Sequence, residues 1–225
     1  MSVALQNLFN RIAVVYDRLN DQLSLGNHRL WKKMAVKLAQ PQVGQIWLDL
    51  CCGSGDIAGL LAKQVGTTGR VIGLDFAAQQ LAIARQKFRD ANICWQLGDA
   101  LNLPFFDATF DGVIISYGLR NVDDINLCLR EIYRVLKPNA KLVALDFHRP
   151  YNALMAHFQK FYLENIVVPT ARKYQLAQEY AYILPSLEKF PQGKMQTALA
   201  LQAGFQQAIH YPIAGEMMGV LIAVK

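Results

Sequence analysis

The chain reads as an α/β protein: a Rossmann-like, seven-stranded, mostly parallel sheet with helices on both faces. Three observations lead there. Short β-branched runs alternate with segments of helical period through the first 150 residues. A glycine-rich loop joins the first of these strands to the helix after it. An acidic or hydroxyl residue closes one strand after another. Strands alternating with helices need crossover connections, which give a parallel sheet covered on both sides.

Residues 1–40 are expected to be helical. There Arg29, Lys32, Lys33 and Lys37 stand opposite Leu30, Met34 and Leu38 at four-residue spacing. Such a helix suits either a solvated face on a packed core or contact with an anionic membrane surface. The first strand, 46–48, ends in Asp49. Gly53 and Gly55 follow, and a helix is expected over 57–65. Glycine lets a backbone turn tightly and approach a ligand, and the next helix N-terminus favours polar or anionic groups. Strand 70–74 ends in Asp75 and leads to a helix over 78–89. Strand 93–97 is followed by Gly98-Asp99-Ala100. Strand 112–115 ends at Ser116-Tyr117-Gly118, with a helix over 124–136 after it, and strand 141–145 ends at Asp146. Polar groups at successive strand C-termini converge on one crevice, where open α/β sheets bind ligands. Residues 151–200 form an insertion rich in Tyr and Phe, and 204–210 and 220–224 read as closing antiparallel strands. The whole is one domain, 1–225, organised as an N-terminal helical lid (1–40), a cofactor-binding core (41–150), a substrate-binding helical insertion (151–200) and closing strands (201–225).

Composition agrees with one well-filled core: 225 residues, 53% hydrophobic and 18% charged. No run approaches the ~18 apolar residues of a membrane span. The N-terminus lacks a signal-peptide pattern, so a cytoplasmic protein is expected, peripheral at most to a membrane. Cys51 and Cys52 are adjacent and Cys94 and Cys128 stand alone, which suits reduced thiols rather than a disulfide or metal set. The net charge of +6 raises a nucleic-acid partner. Against it, the basic residues are scattered. Ile115-Ser116-Tyr117-Gly118 lacks the Asn/Asp-Pro-Pro-aromatic tetrad of amino-directed nucleic-acid methyltransferases, and no Pro-Cys or Thr-Cys occurs.

Two cofactors compete for the glycine loop. Gly53-x-Gly55-x-x-Ala58, with Asp75 20 residues past Gly55, satisfies a loose dinucleotide fingerprint. An acid at the strand end followed by x-x-x-Gly-x-Gly fits S-adenosylmethionine better. That molecule carries a sulfonium and an ammonium rather than a pyrophosphate, so Asp49 beside the loop makes electrostatic sense. The expected cofactor-binding set is Asp49, Gly53, Gly55, Asp75, Phe76, Asp99, Ala100 and Ser116. In it Asp75 takes the ribose hydroxyls and Asp99 reaches the adenine amino group.

Three blocks carry a family resemblance. Tyr16-Asp17-Arg18-Leu19-Asn20, continuing through Ser24 and His28 to Trp31, is similar to Tyr-Asp-x-x-Asn-x-x-x-Ser-x-x-x-His-x-x-Trp. Ser116-Tyr117-Gly118-Leu119-Arg120-Asn121-Val122 is similar to Ser-Phe-Gly-Leu-Arg-Asn-Val, and Arg134-Val135-Leu136-Lys137-Pro138 completes the set. These resemble the UbiE/MenG family of quinone-biosynthesis C-methyltransferases. The Cys-Cys-Gly-Ser-Gly-Asp loop and the Gly-Glu-Met-Met-Gly ending look most like the cyanobacterial and plastid branch, which methylates 2-phytyl-1,4-naphthoquinone. Departures are Pro138-Asn139-Ala140 for Pro-Gly-Gly, Asp146-Phe147-His148 for Glu-x-Ser, and Ala58 for a threonine.

The resemblance implies a class I S-adenosylmethionine-dependent methyltransferase acting on a reduced, prenylated naphthoquinone in phylloquinone or menaquinone biosynthesis. A prenylated benzoquinol, or a small-molecule O- or N-methyltransferase, is the alternative. A quinol ring carbon is nucleophilic where the quinone's is not, so the site must share a quinol proton and stabilise an oxyanion. The candidates are Arg120, Asn121, Tyr16, Asp146 and His28, with Tyr16 and Asp17 also in a lid over the cofactor. Neither a metal nor nucleic acid is expected.

Overall fold

The computed structural model describes residues 3–24, 26–89 and 92–225, without the side chains of Ala4 and Tyr16. Seven strands form one sheet in the order β3-β2-β1-β4-β5-β7-β6. They are β1 (Ile46–Leu50), β2 (Arg70–Asp75), β3 (Ile93–Leu97), β4 (Phe110–Ser116), β5 (Leu136–Phe147), β6 (Gln207–Ile213) and β7 (Met218–Val224). The first five pair in parallel, and β7 runs antiparallel between β5 and β6. Strand order reverses between β1 and β4, which opens a crevice at their C-terminal ends.

Val113, Ile114 and Ile115 of β4 are all buried, as a central parallel strand covered on both faces requires. On one face α2 (Asn27–Ala39) and α3 (Asp56–Val65) pack Ala35, Val36, Ile57 and Leu61 against Trp47 and Val143. On the other, α5 (Ile125–Val135) and α10 (Gly193–Gln202) pack Cys128, Leu129, Ile132 and Ala200 with Leu48, Phe110 and Leu142. Asp124 caps α5, accepting from Leu127 N at 2.9 Å. α4 (Ala78–Lys87) completes the crossover to β3.

Two expected boundaries move. β6 begins at Gln207, not 204, because the amides of Ala203, Gly204 and Phe205 still bond to carbonyls at the end of α10. β5 begins at Leu136, which pairs with Phe110 before a register shift. The N-terminal 40 residues also divide. α2 is part of the sheet's cover, whereas α1 (Val3–Ser24) crosses the strand C-termini. α1 packs Ile12 and Leu19 against Val167, Ala171, Leu176 and Tyr180 of the insertion. The insertion itself is helical: α6 (Ala153–Tyr162), a π turn (Leu163–Val167), α7 (Val168–Arg172), α8 (Ala177–Ala181) and α9 (Ile183–Lys189).

Candidate active site

The loop after β1 makes a tight turn. Cys51, Gly53 and Gly55 have φ of 56°, 52° and 86°. A Cβ on Gly55 would lie 2.4 Å from the Trp95 ring, so that position admits glycine alone. Asp49 Oδ2 accepts from Ala58 N at 2.8 Å, inside the first turn of α3. The carboxylate therefore caps a helix from the neighbouring strand and is almost wholly buried, and burial pushes it well above the usual range. Asp49, expected in the cofactor-binding set, thus also braces the start of α3.

Asp75 also has backbone partners. Its oxygens accept from Gly53 N and Ala77 N, both at 2.8 Å, and burial raises it to about 6. It ties the glycine loop to the β2 turn, and any ribose contact would share oxygens already engaged. Phe76 meets α1: its carbonyl accepts from Gln6 Nε2 at 2.6 Å and its ring stacks edge-on to Phe9. Asp99 Oδ1 accepts from Leu101 N at 3.0 Å, and Ala100 is buried beside it.

Among the described residues, two buried atoms bordering this crevice have no partner: Ser116 Oγ at the end of β4 and Gln80 Oε1 beside Gly53. Positive-φ glycines, clustered backbone donors and orphaned oxygens at the switch point fit a polar nucleoside cofactor. Burial pushes the Cys51, Cys52 and Cys128 thiols upward, Cys128 to about 12, so they are poor nucleophiles. Among the described residues no group of three or more His, Cys, Asp or Glu could hold a metal.

α1 closes over this loop. Asp17 accepts from Ser54 Oγ at 2.7 Å and from Lys87 Nζ at 2.8 Å, and Lys87 also reaches Asp56. The Tyr16 side chain lies outside the described residues. Lys32 is buried against Asp56 at 2.7 Å and Arg29 forks onto Asp21. Two cations of the basic α2 face are therefore engaged within the protein, while Lys33 and Lys37 stand exposed.

Beyond the loop lies an apolar cavity of about 490 Å³. α1 contributes Leu8, Phe9, Ile12 and Leu23. The strand ends contribute Tyr117, Arg120, Asn121 and Phe147, and the insertion supplies Phe158, Tyr162, Tyr180 and Tyr182. At its polar end Arg120 pairs with buried Asp146 through its guanidinium and its backbone amide, the latter at 3.0 Å. Phe147 N donates to the same carboxylate. Burial raises the Asp146 carboxyl and the Arg120 charge opposes that rise. Asp146, expected to touch substrate, is occupied in orienting Arg120. Arg120 Nε donates to Ser186 Oγ at 2.9 Å. Tyr182 donates to Asn121 Oδ1 at 2.7 Å, and Asn121 Nδ2 donates to Tyr117 O at 3.0 Å.

His28 lines the same cavity. Its Nδ1 is 2.9 Å from Ser24 Oγ, which donates to Asn20 O at 2.7 Å. Burial, with Lys32 nearby, lowers its pKa, so the ring is neutral near pH 7. His148 is buried away from this group, against His210. Tyr182 was legible only as one of the insertion's aromatics, and Ser186 and Glu179 not at all. They carry no motif, and only the fold of the insertion brings Tyr182 and Ser186 to the Arg120 loop and Glu179 to the cavity wall and Arg11.

The ubiE/COQ5 methyltransferase family matches residues 2–225, and the chain belongs to it. A Nostoc protein named 2-phytyl-1,4-naphtoquinone methyltransferase is 53% identical over 229 residues, covering 100% of both chains. A chloroplastic 2-phytyl-1,4-beta-naphthoquinone methyltransferase of Arabidopsis thaliana is 50% identical over 97% of this chain and 86% of its own. Among solved structures, a SAM-dependent methyltransferase of Thermotoga maritima superposes with a TM-score of 0.69 at 20% identity, over 97% of this chain and 99% of its own. That likeness shows the fold, which is the class I methyltransferase fold. The protein is an S-adenosylmethionine-dependent methyltransferase.

Proposed function

We propose that this member of the ubiE/COQ5 family methylates a ring carbon of a reduced, prenylated naphthoquinone, converting 2-phytyl-1,4-naphthoquinol to phylloquinol. The observation that carries the reading is the cavity: walled largely by apolar and aromatic side chains, holding Arg120, Asn121 and His28 among its polar ones, and meeting the β4 strand end at Tyr117. Full-length identity above one half to relatives named for that substrate supports it. A flat naphthalene ring and an isoprenoid chain suit walls of Phe, Tyr and Leu, and each buried methylene contributes about 0.8 kcal/mol. Tail burial thus supplies affinity, and the polar end sets orientation.

Bound S-adenosylmethionine supplies a methyl group activated on sulfonium. The loop of Gly53 and Gly55, with Asp75, Asp99 and Ser116, would hold it. Arg120 carries five N–H donors and spends two on Asp146 and Ser186, so others can meet a quinol oxygen and stabilise it as the proton leaves. Tyr182 stays protonated because burial raises its pKa, and its hydroxyl fixes the Asn121 amide for a ring oxygen. Ser24 commits its hydrogen to Asn20, so Nδ1 of His28 carries the ring proton, and Nε2, the basic nitrogen, lies 3.6 Å from Asp21 Oδ1, which would pair with the ring once it is protonated. We assign His28 the quinol proton. α1 serves as the lid and residues 151–200 as the substrate-binding element, since both wall the cavity. An insoluble tail places the protein at a membrane surface, which no helix of the described residues is long and apolar enough to cross.

The test is methyl transfer from S-adenosylmethionine to 2-phytyl-1,4-naphthoquinone with and without a strong reductant, read by mass spectrometry and NMR. One methyl on the ring carbon, only with reductant, is the expected result. Methylation of a prenylated benzoquinol but of no naphthoquinol would overturn the substrate assignment.

A further inference from the structure

α6 has one side in the cavity and the other in open solvent. Phe158 lines the cavity yet is 49% exposed; Leu154 before it is 75% exposed and Phe161 after it 52%. The three recur at i, i+4 and i+7, one stripe of a helix. Tyr151 before the helix and Ile166 in the π turn are exposed as well. An apolar patch of this extent marks a contact site. Exposed cations accompany it: Arg149, Lys160, Arg172 and Lys173. Acids of the same region are engaged. Glu164 lies 3.9 Å from Lys160, and Glu179 is buried against Arg11.

We infer that α6 docks on an anionic lipid bilayer. Leu154, Phe158 and Phe161 enter the acyl boundary, and Arg149, Lys160, Arg172 and Lys173 meet headgroup phosphates. The inference rests on the prenylated-quinol reading of the cavity. A tail that leaves acyl chains must otherwise cross water, at about 0.8 kcal/mol per methylene. Phe158 belongs to both the stripe and the cavity wall, so the two apolar surfaces join and the tail can pass without that crossing. A second copy of this chain fits less well. A two-fold contact would bring identical cationic rims together.

The test is flotation of the full-length protein with quinone-free vesicles of phosphatidylcholine alone or mixed with phosphatidylglycerol. Binding to the anionic vesicles, weakened by salt, is expected. The double variant Leu154→Ser/Phe161→Ser should bind roughly tenfold more weakly or worse. Neither residue lines the cavity, so its turnover on a short-tailed naphthoquinol in solution should stay at the wild-type level. Phe106→Ser, which removes a 90% exposed ring in the loop after β3, should bind as wild type does. Lys160→Glu with Lys173→Glu should lower binding to anionic vesicles while leaving the apolar stripe intact. Absence of flotation, equal flotation by the Leu154/Phe161 variant, or a solution dimer that this variant dissociates would each overturn the inference. The two readings fail separately. Protein that floats but methylates no naphthoquinol keeps the docking face and loses the substrate. Protein that methylates a short-tailed naphthoquinol but never floats does the reverse.

Discussion

The cofactor crevice and the quinol cavity adjoin, yet they are built by opposite means. The crevice is local: one loop, three strand ends and the first turn of a helix, all within residues 49–116, braced by backbone-to-carboxylate hydrogen bonds. The cavity is assembled from the two ends of the chain. α1 and the 151–200 insertion close over the sheet, and their contacts are mostly apolar, with a few polar ties at the Arg120 loop. A glycine pattern specifies the first. The second depends on helices that carry little pattern of their own, which leaves substrate recognition free to change while cofactor recognition is held.

That division can be broken from either side. Arg120→Ala should have the largest effect. Turnover should fall about 100- to 1000-fold through loss of oxyanion stabilisation, while calorimetry finds S-adenosylmethionine affinity within about twofold. Buried Asp146 loses its partner, so thermal unfolding should show about 3 kcal/mol of destabilisation. Equal losses in cofactor affinity and turnover would merge the two sites. Asp75→Ala tests the other side. It frees the amides of Gly53 and Ala77, and S-adenosylmethionine should bind about 10- to 100-fold more weakly, each hydrogen bond to a charged group contributing about 1.5–3 kcal/mol.

A pH titration sharpens the same point. The Asp75 carboxyl is raised from 3.8 to about 6 in the folded protein, chiefly by burial. A raised acid binds its proton more tightly when folded. This group alone therefore makes the cofactor-free fold more stable as pH falls from about 6 toward 3.8. Cofactor binding runs the other way, because ribose hydroxyls need an ionised acceptor. Affinity should decline as pH drops below about 6, and that step should vanish in Asp75→Asn, read by calorimetry across the range. On the cavity side, Tyr182→Phe should raise KM about threefold to tenfold by releasing Asn121, an effect of about 1 kcal/mol, and leave cofactor affinity alone. The smallest effect is expected at the seam. Lys87→Ala removes partly exposed ion pairs to Asp17 and Asp56 and should cost less than about 1 kcal/mol in denaturant unfolding.

The same contrast explains what the sequence made legible. β1 to β4 and the helices between them follow from alternation and glycine placement, because neighbouring residues determine them. Arg120 and Asn121 were found through a block that resembles a family. The protein partners of Asp49, Asp75 and Asp146 were not. An acid at a strand end looks the same whether it meets a ligand, a backbone amide or a guanidinium, and only burial and distance separate these. The partners of Lys32 and Arg29 were hidden for the same reason: a basic helix face shows no sign of the acids that α1 and α3 bring to it. Tyr182 and Ser186 act across more than 60 residues of chain, beyond any local period.

α1 is at once the cover of one ligand and the wall of the other: Asp17 holds Ser54 while Leu8, Phe9 and Ile12 line the cavity. As the proposed lid, α1 would remove a side of the quinol compartment each time it lifted to exchange spent cofactor. A ring could not then wait in place for a second donor, so the lid reading predicts one alkylation per visit, a distributive enzyme. With excess S-adenosylmethionine and a substrate bearing two open ring positions, the singly methylated product should accumulate in free solution before any doubly methylated species appears.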